Sequence, residues 1–226
     1  LGRVTAIASA KGGVGVTTVT VNLAAELARR GQRVIIIDTD LQFGDVALHL
    51  SLRPTTSIAA AVELGANLNA RRLDGLLLTD ERTGVRVLAS PPDPAVADVV
   101  DPASVGTIVE VACQLADVVL VDTPSGMGPL TLHVLELADR VGLVTTASVG
   151  ALHGSRTELT TLAALHLAAK ARLILNRVDA EHHVNRRRLA HWAHLPVVGY
   201  LPESRQVAQA DSDTSVAVLA APRSRF

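Results

Sequence analysis

Ten residues near the start of the chain, Ser9-Ala10-Lys11-Gly12-Gly13-Val14-Gly15-Val16-Thr17-Thr18, constrain its fold more than any other segment. The closely spaced Gly12, Gly13 and Gly15 let the backbone curl until successive N–H groups face one point, which suits an anion. Just before them, Val4–Ala8 is a short apolar run with β-branched residues, as a buried parallel strand requires. Just after, Val21, Leu23, Ala24, Leu27 and Ala28 recur at helical spacing within Thr17–Arg30. Strand, glycine loop and helix in this order aim the helix's free N–H groups and positive dipole end at phosphates, with the Thr17 hydroxyl offered to magnesium. A glycine-rich turn without a ligand is the plainer alternative, and the flanking context weighs against it.

The loop departs from the usual G-x-x-x-x-G-K-[ST] pattern in two places, with Ala10 at the first glycine and Val16 at the lysine. A lysine there contacts the terminal phosphates in a charge-assisted interaction worth about 1.5–3 kcal/mol, so valine should weaken nucleotide binding by roughly ten- to a hundredfold. If that lysine also stabilises transition-state charge, hydrolysis suffers more than binding. A second lysine, Lys11, remains near the start of the loop.

Buried strands are expected at Val4–Ala8, Arg33–Ile37, Val85–Ala89, Asp117–Val121, Arg140–Thr145, Arg172–Leu175 and Val197–Tyr200, with helical segments between most of them. That alternation predicts one α/β domain over residues 1–226: a mostly parallel sheet of seven or eight strands, flanked by helices on both faces. Ligands of such sheets lie beyond the carboxyl ends of the strands, which is where the glycine loop, Asp38, Asp40, Asp122 and Asn176 fall. Phosphoryl transfer to water needs a metal, charge-neutralising donors and a group that orients the water, and these residues are the candidates. Asp38 and Asp40 could instead be turn caps, and Asn176 an ordinary turn residue after a strand.

The pattern K-G-G-V-G-x-T-T resembles the deviant Walker A motif of the MinD/ParA family of ATPases. The resemblance implies ATP or ADP bound with Mg2+ by Lys11, Gly12, Gly13, Val14, Gly15, Val16, Thr17 and Thr18, with Lys11 reaching the partner's phosphates in a nucleotide-sandwich homodimer. It also implies Mg2+ near Thr17 and Asp38 and held through water by Asp122 at the Walker B place. Asp40 would contact the attacking water, and with Lys11 it completes the catalytic set. Asn176, followed by Arg177, would read the adenine edge, and the loop Tyr200-Leu201-Pro202-Glu203 would close over the base, with Pro202 supplying a carbonyl and an apolar face.

Three further stretches, Asp40-Leu41-Gln42-Phe43-Gly44-Asp45-Val46-Ala47, Leu88-Ala89-Ser90-Pro91-Pro92-Asp93-Pro94 and Asp122-Thr123-Pro124, look like the CpaE/TadZ branch, which places pilus and secretion machinery at a cell pole. A septum-site-determining protein of the same family is not separated from it by these motifs. That branch carries a receiver-like domain ahead of the ATPase domain, and a chain opening at Leu1 directly before its first strand looks like an excised C-terminal half. The branch tolerates substitutions at the Val16 place, so the resemblance implies a slow nucleotide switch. Two other readings stand beside it: a pseudo-ATPase adaptor that keeps the fold without turnover, and a metabolic ligase of the dethiobiotin-synthetase type, for which no substrate-specific motif stands out.

Other features carry less. The net charge of -1 and 2% aromatic content argue against an obligate polyanion binder or a single-strand stacking platform. Cys113 lies among small apolar residues and reads as a core thiol, and a lone cysteine points to a reducing, cytoplasmic setting, with recruitment to a pole or septum implied by the resemblance. Arg186-Arg187-Arg188, near His182, His183, His191, His194 and Trp192, could meet DNA or an acidic partner, but a solvated helix face is the favoured account. The histidine spacings match no metal-ligand pattern. No stretch is long and apolar enough to span a bilayer. The segment Val216–Ala221, cut by Pro222 and without aromatic anchors before Phe226, is expected to pack on the domain and not to dock on a membrane.

Overall fold

The computed structural model describes residues 1–178, 196–213 and 216–220. Its strands are β1 (Arg3–Ala8), β2 (Val34–Asp38), β3 (Leu78–Thr79), β4 (Arg86–Leu88), β5 (Val118–Asp122), β6 (Arg140–Thr145), β7 (Ala171–Val178) and β8 (Val197–Pro202). They form one sheet in the order β3-β4-β2-β5-β1-β6-β7-β8. Every neighbouring pair is parallel except β3 with β4. The principal helices are α1 (Val16–Arg29), α2 (Val46–His49), α3 (Ile58–Glu63), α4 (Ala70–Asp74), α5 (Pro102–Leu115), α6 (Pro129–Leu137), α7 (Val149–Ala164), α8 (Arg205–Ser212) and α9 (Ala217–Ala220).

The central strands are buried because they are apolar on both sides. Along β2, Ile35 and Ile37 join the larger core with Val119 and Val121 of β5, whereas Val34 and Ile36 join a second core with Leu120. Alternate side chains of one strand thus feed opposite layers, as the two-residue period of a strand dictates. The second core takes Val21, Ala24 and Ala25 of α1, and the first takes Val105, Ile108 and Val109 of α5, so helices cover both faces.

β3 is the strand that sequence patterning missed. It has two residues and is paired to β4 through a turn in which the Asp80 N–H donates to the Val85 carbonyl at 2.9 Å. The buried Asp80 side chain accepts from Thr83 Oγ1 at 2.7 Å and from Arg82 Nε at 2.9 Å. A hairpin held by turn chemistry needs no apolar run to mark it. The segment that begins at Val216 returns to α1: Val216 is buried in the second core, and the Val218 N–H donates to Asn22 Oδ1 at 2.9 Å.

Chain connections run from β1 toward β2 on one side and from β5 toward β6 on the other. The sheet therefore reverses its winding around β1, and the carboxyl ends of β1, β2 and β5 enclose a crevice.

Candidate nucleotide site

The loop from Ser9 to Gly15 joins β1 to α1 across this crevice. Gly13 and Gly15 take φ of 76° and 95°, left-handed values that other residues adopt only under strain. At Gly15 a Cβ would also run into Asn176 Nδ2. Among the described residues no side chain caps the N-terminus of α1, so the N–H groups of its first turn are left for a ligand.

Two consecutive side chains at the end of β7 hold the loop in shape. Asn176 Nδ2 donates to the Val14 carbonyl at 2.8 Å, and Arg177 Nη1 donates to the Gly13 carbonyl at 3.2 Å. Because a peptide's C=O and N–H point opposite ways, fixing these carbonyls turns the N–H groups of Val14 and Gly15 the other way. Arg177 pays for the reach with a φ of 53°. Asn176, expected at an adenine edge, therefore commits one amide hydrogen to the loop. Pro202 ends β8 opposite Val178, and the Glu203 N–H donates to the Val178 carbonyl at 3.0 Å, so the Tyr200–Glu203 stretch lies beside Asn176 and Arg177.

The acidic part sits beneath α1. Asp122, 1% exposed at the end of β5, accepts from Thr17 Oγ1 at 2.9 Å and from Thr20 Oγ1 at 2.6 Å. Asp38 is its register partner on β2 and is also buried; it accepts the N–H groups of Asp40 at 3.1 Å and Val46 at 3.3 Å. Burial pushes the Asp122 carboxyl up to about 7, although the Thr20 and Thr17 hydroxyls pull the other way. Burial, and then the neighbouring Asp122, raise Asp38 as well. Two like groups in a dry place favour a cation between or above them. Asp40, less buried, accepts the Phe43 N–H at 3.1 Å.

Several residues here were not singled out from sequence. Thr20 lies one helical turn beyond Thr17, a spacing that could have revealed it. Gly44 is required because a Cβ there would strike Ser90 Oγ, the Asp40 carbonyl and Asp38 Oδ2. Asp45 Oδ2 stands 3.3 Å from His49 Nε2. Burial would raise its carboxyl, but bonding to His49 and Thr17 holds it below the usual range.

Lys11 is exposed, with its Nζ beside Gly150 of α7. Val16 opens α1 and packs on the small apolar cluster of Ile7, Val14, Val19, Val144 and Ala151. Among the described residues no three His, Cys, Asp or Glu side chains converge as a ready cage. Magnesium keeps waters and phosphate oxygens and needs only one or two protein oxygens, so Thr17 backed by Asp122 fits it. The Arg186–Arg188 and histidine cluster lies outside the described residues, and among those described no helix is long and apolar enough to cross a membrane.

Strand, glycine loop and helix over a buried strand-end aspartate define a P-loop nucleotide-binding domain. Residues 5–217 match the family described as the CobQ/CobB/MinD/ParA nucleotide binding domain, and the chain belongs to that family. It is 35% identical over 172 residues to the chromosome-partitioning ATPase Soj of Thermus thermophilus, an alignment that takes in 75% of this chain and 65% of the length of that protein. Its fold is that of a ParA family ATPase from Chlorobium tepidum, with a TM-score of 0.91 at 22% identity over 99% of this chain and 95% of the other. The septum site-determining protein MinD of Pyrococcus horikoshii, solved as a complex with Mg-ADP, superposes with a TM-score of 0.83 at 22% identity over 99% and 90% of the two chains.

Proposed function

We propose that the chain binds ATP or ADP with Mg2+ in the Lys11–Thr18 loop and works as a slow nucleotide-dependent switch that positions other machinery. The observation that carries this is the buried Asp122 held by Thr17 and Thr20 directly below the glycine loop. Magnesium, when bound, would supply positive charge against the charge developing on the phosphates. Thr17 supplies an oxygen to it, and Asp122 and Asp38 supply negative charge behind. The N–H groups of Val14 and Gly15, oriented by Arg177 and Asn176, receive phosphate oxygens. Asp40 orients the water, and with Val16 contributing no charge the hydrolytic step is slow.

The nucleotide state is read out by dimerisation. Lys11 is exposed, and Phe43 and Val149 are 81% and 86% exposed, all on segments that follow the carboxyl ends of strands. Their exposure supports a face that a second copy covers, with each Lys11 lying against the other copy's phosphates. The Asp40–Ala47 stretch supports the CpaE/TadZ type of role, at pilus or secretion machinery; the Soj and MinD relatives support partitioning or the division site as the setting. A pseudo-ATPase adaptor is the second reading, favoured by the apolar packing of Val16.

Calorimetric titration with ATP and ADP, with and without magnesium, tests the binding claim, and heat that requires magnesium is expected. Phosphate release by wild type and Asp40→Ala tests the switch: release should be slow and lost in the variant. Absence of binding at millimolar nucleotide would sink the proposal, and binding without any release would leave the adaptor reading.

A further inference from the structure

Gly150, Gly154 and Glu158 lie one turn apart on α7 and form a stripe beneath the opening of the loop. A Cβ on Gly150 would stand 3.0 Å from Lys11 Nζ, and one on Gly154 would stand 3.2 Å from Ala10 Cβ. The third member of the stripe is 2% exposed, and among the described residues neither of its carboxylate oxygens has a hydrogen-bond partner. The Ala10 N–H lies close enough to favour the ionised form without completing a hydrogen bond. Among the described residues, Lys11 Nζ lies over Gly150, two turns away along the stripe, and other charged groups nearby are engaged or exposed. Lys170 Nζ donates to the carbonyls of Glu136 and Ala138. Arg172 donates to the Ala169 and Ala171 carbonyls, Arg177 to that of Gly13, and His153 and Arg156 are exposed.

A buried carboxylate without a partner is costly, and the rest of the buried face of α7, Ala151, Ser155 and Leu162, shows that packing here does not demand one. We infer that Glu158 is a positioning residue for the phosphate loop: when the loop closes on its ligand, the Glu158 carboxylate accepts the Ala10 N–H and holds Ser9–Lys11 against α7. This rests on the reading of the loop as a nucleotide site. Gly150 and Gly154 serve the same end, since side chains there would lift Lys11 and Ala10 from the helix.

Burial pushes the Glu158 carboxyl up to about 7, so in the free protein both of its forms are populated near neutrality. A full hydrogen bond to the ionised form lowers that value in the complex. Closure then releases a proton, and nucleotide affinity climbs with pH through the neutral region and levels off on either side.

Two measurements test this. The first follows the Ala10 amide resonance through a pH titration of the nucleotide-free protein, in wild type and Glu158→Gln. The wild-type resonance should move with a midpoint near neutrality, and that of the variant should stay still. The second is MgADP titration of both proteins under saturating magnesium at about pH 6 and about pH 8, where wild-type affinity should rise about three- to tenfold more than that of the variant. If Glu158→Gln folds poorly, Glu158→Leu should fold, melt at higher temperature and give the same flat profile. An Ala10 resonance indifferent to pH, with parallel affinity curves, would overturn the inference. An Ala10 resonance that titrates in a protein failing to bind MgADP at any pH would support the Glu158 contact and sink the nucleotide reading.

Discussion

Val16 and Asp122 show how single side chains set the chemistry. Val16 starts α1 at the place where a lysine would meet phosphate, and its side chain packs on an apolar cluster. Val16→Lys forfeits part of that contact, about 1 kcal/mol, and gains a charge-assisted bond. Calorimetry should show nucleotide affinity tightened about tenfold or more, and unchanged affinity would mean that the loop holds phosphate by its backbone alone. Asp122 carries a cost that depends on pH. Burial holds its carboxyl up at about 7 in the fold, against about 3.8 for a free aspartate. As pH rises through that window the unfolded chain gives up its proton before the folded one does, so stability falls, by about 4 kcal/mol in all. Asp122→Asn should therefore be nearly neutral in denaturant melts at about pH 4 and stabilising by about 3–4 kcal/mol at about pH 8 without nucleotide. The same variant should lose the magnesium-dependent part of ligand binding.

At the level of elements, the loop is shaped by its neighbours as much as by its own glycines. Gly15→Ala would force a side chain into a φ of 95° and against Asn176. A loss of about 1–3 kcal/mol in thermal or chemical melts is expected, together with loss of nucleotide binding. A variant that melts like wild type would show that the β7 contacts do not shape the loop. The long apolar strands, the helix after the loop and the strand-end acids were legible in the sequence because periodicity and glycine spacing are local signals. The β3 hairpin was not, since turn hydrogen bonds make it and no periodic run marks it. Nor was the clasp of Asn176 and Arg177 on Val14 and Gly13, which joins residues more than 160 positions apart. No local signal marks Glu158, and only the packing of α7 under Ala10 shows it to be buried.

For the molecule as a whole, association and ligand state should be tied through Lys11. Two phosphate-bearing faces repel unless cations lie between them, and with Val16 neutral that task would fall on Lys11 of each copy in the proposed dimer. Sedimentation should show a dimer favoured by ATP in wild type and weakened in Lys11→Ala, while the melting temperature of the free protein barely changes. An oligomeric state indifferent to both would point to a dimer made by another surface. The paired grip of β7 on the loop has one more consequence. Asn176 and Arg177 precede Val178, the residue that registers with Pro202, so the phosphate cradle and the flank where a purine would rest are two ends of one lever. On the proposed reading, seating the phosphates would tune the place for a base before any base arrives, and pyrophosphate, which has no base, should quiet the backbone around Tyr200 as much as a full nucleotide would.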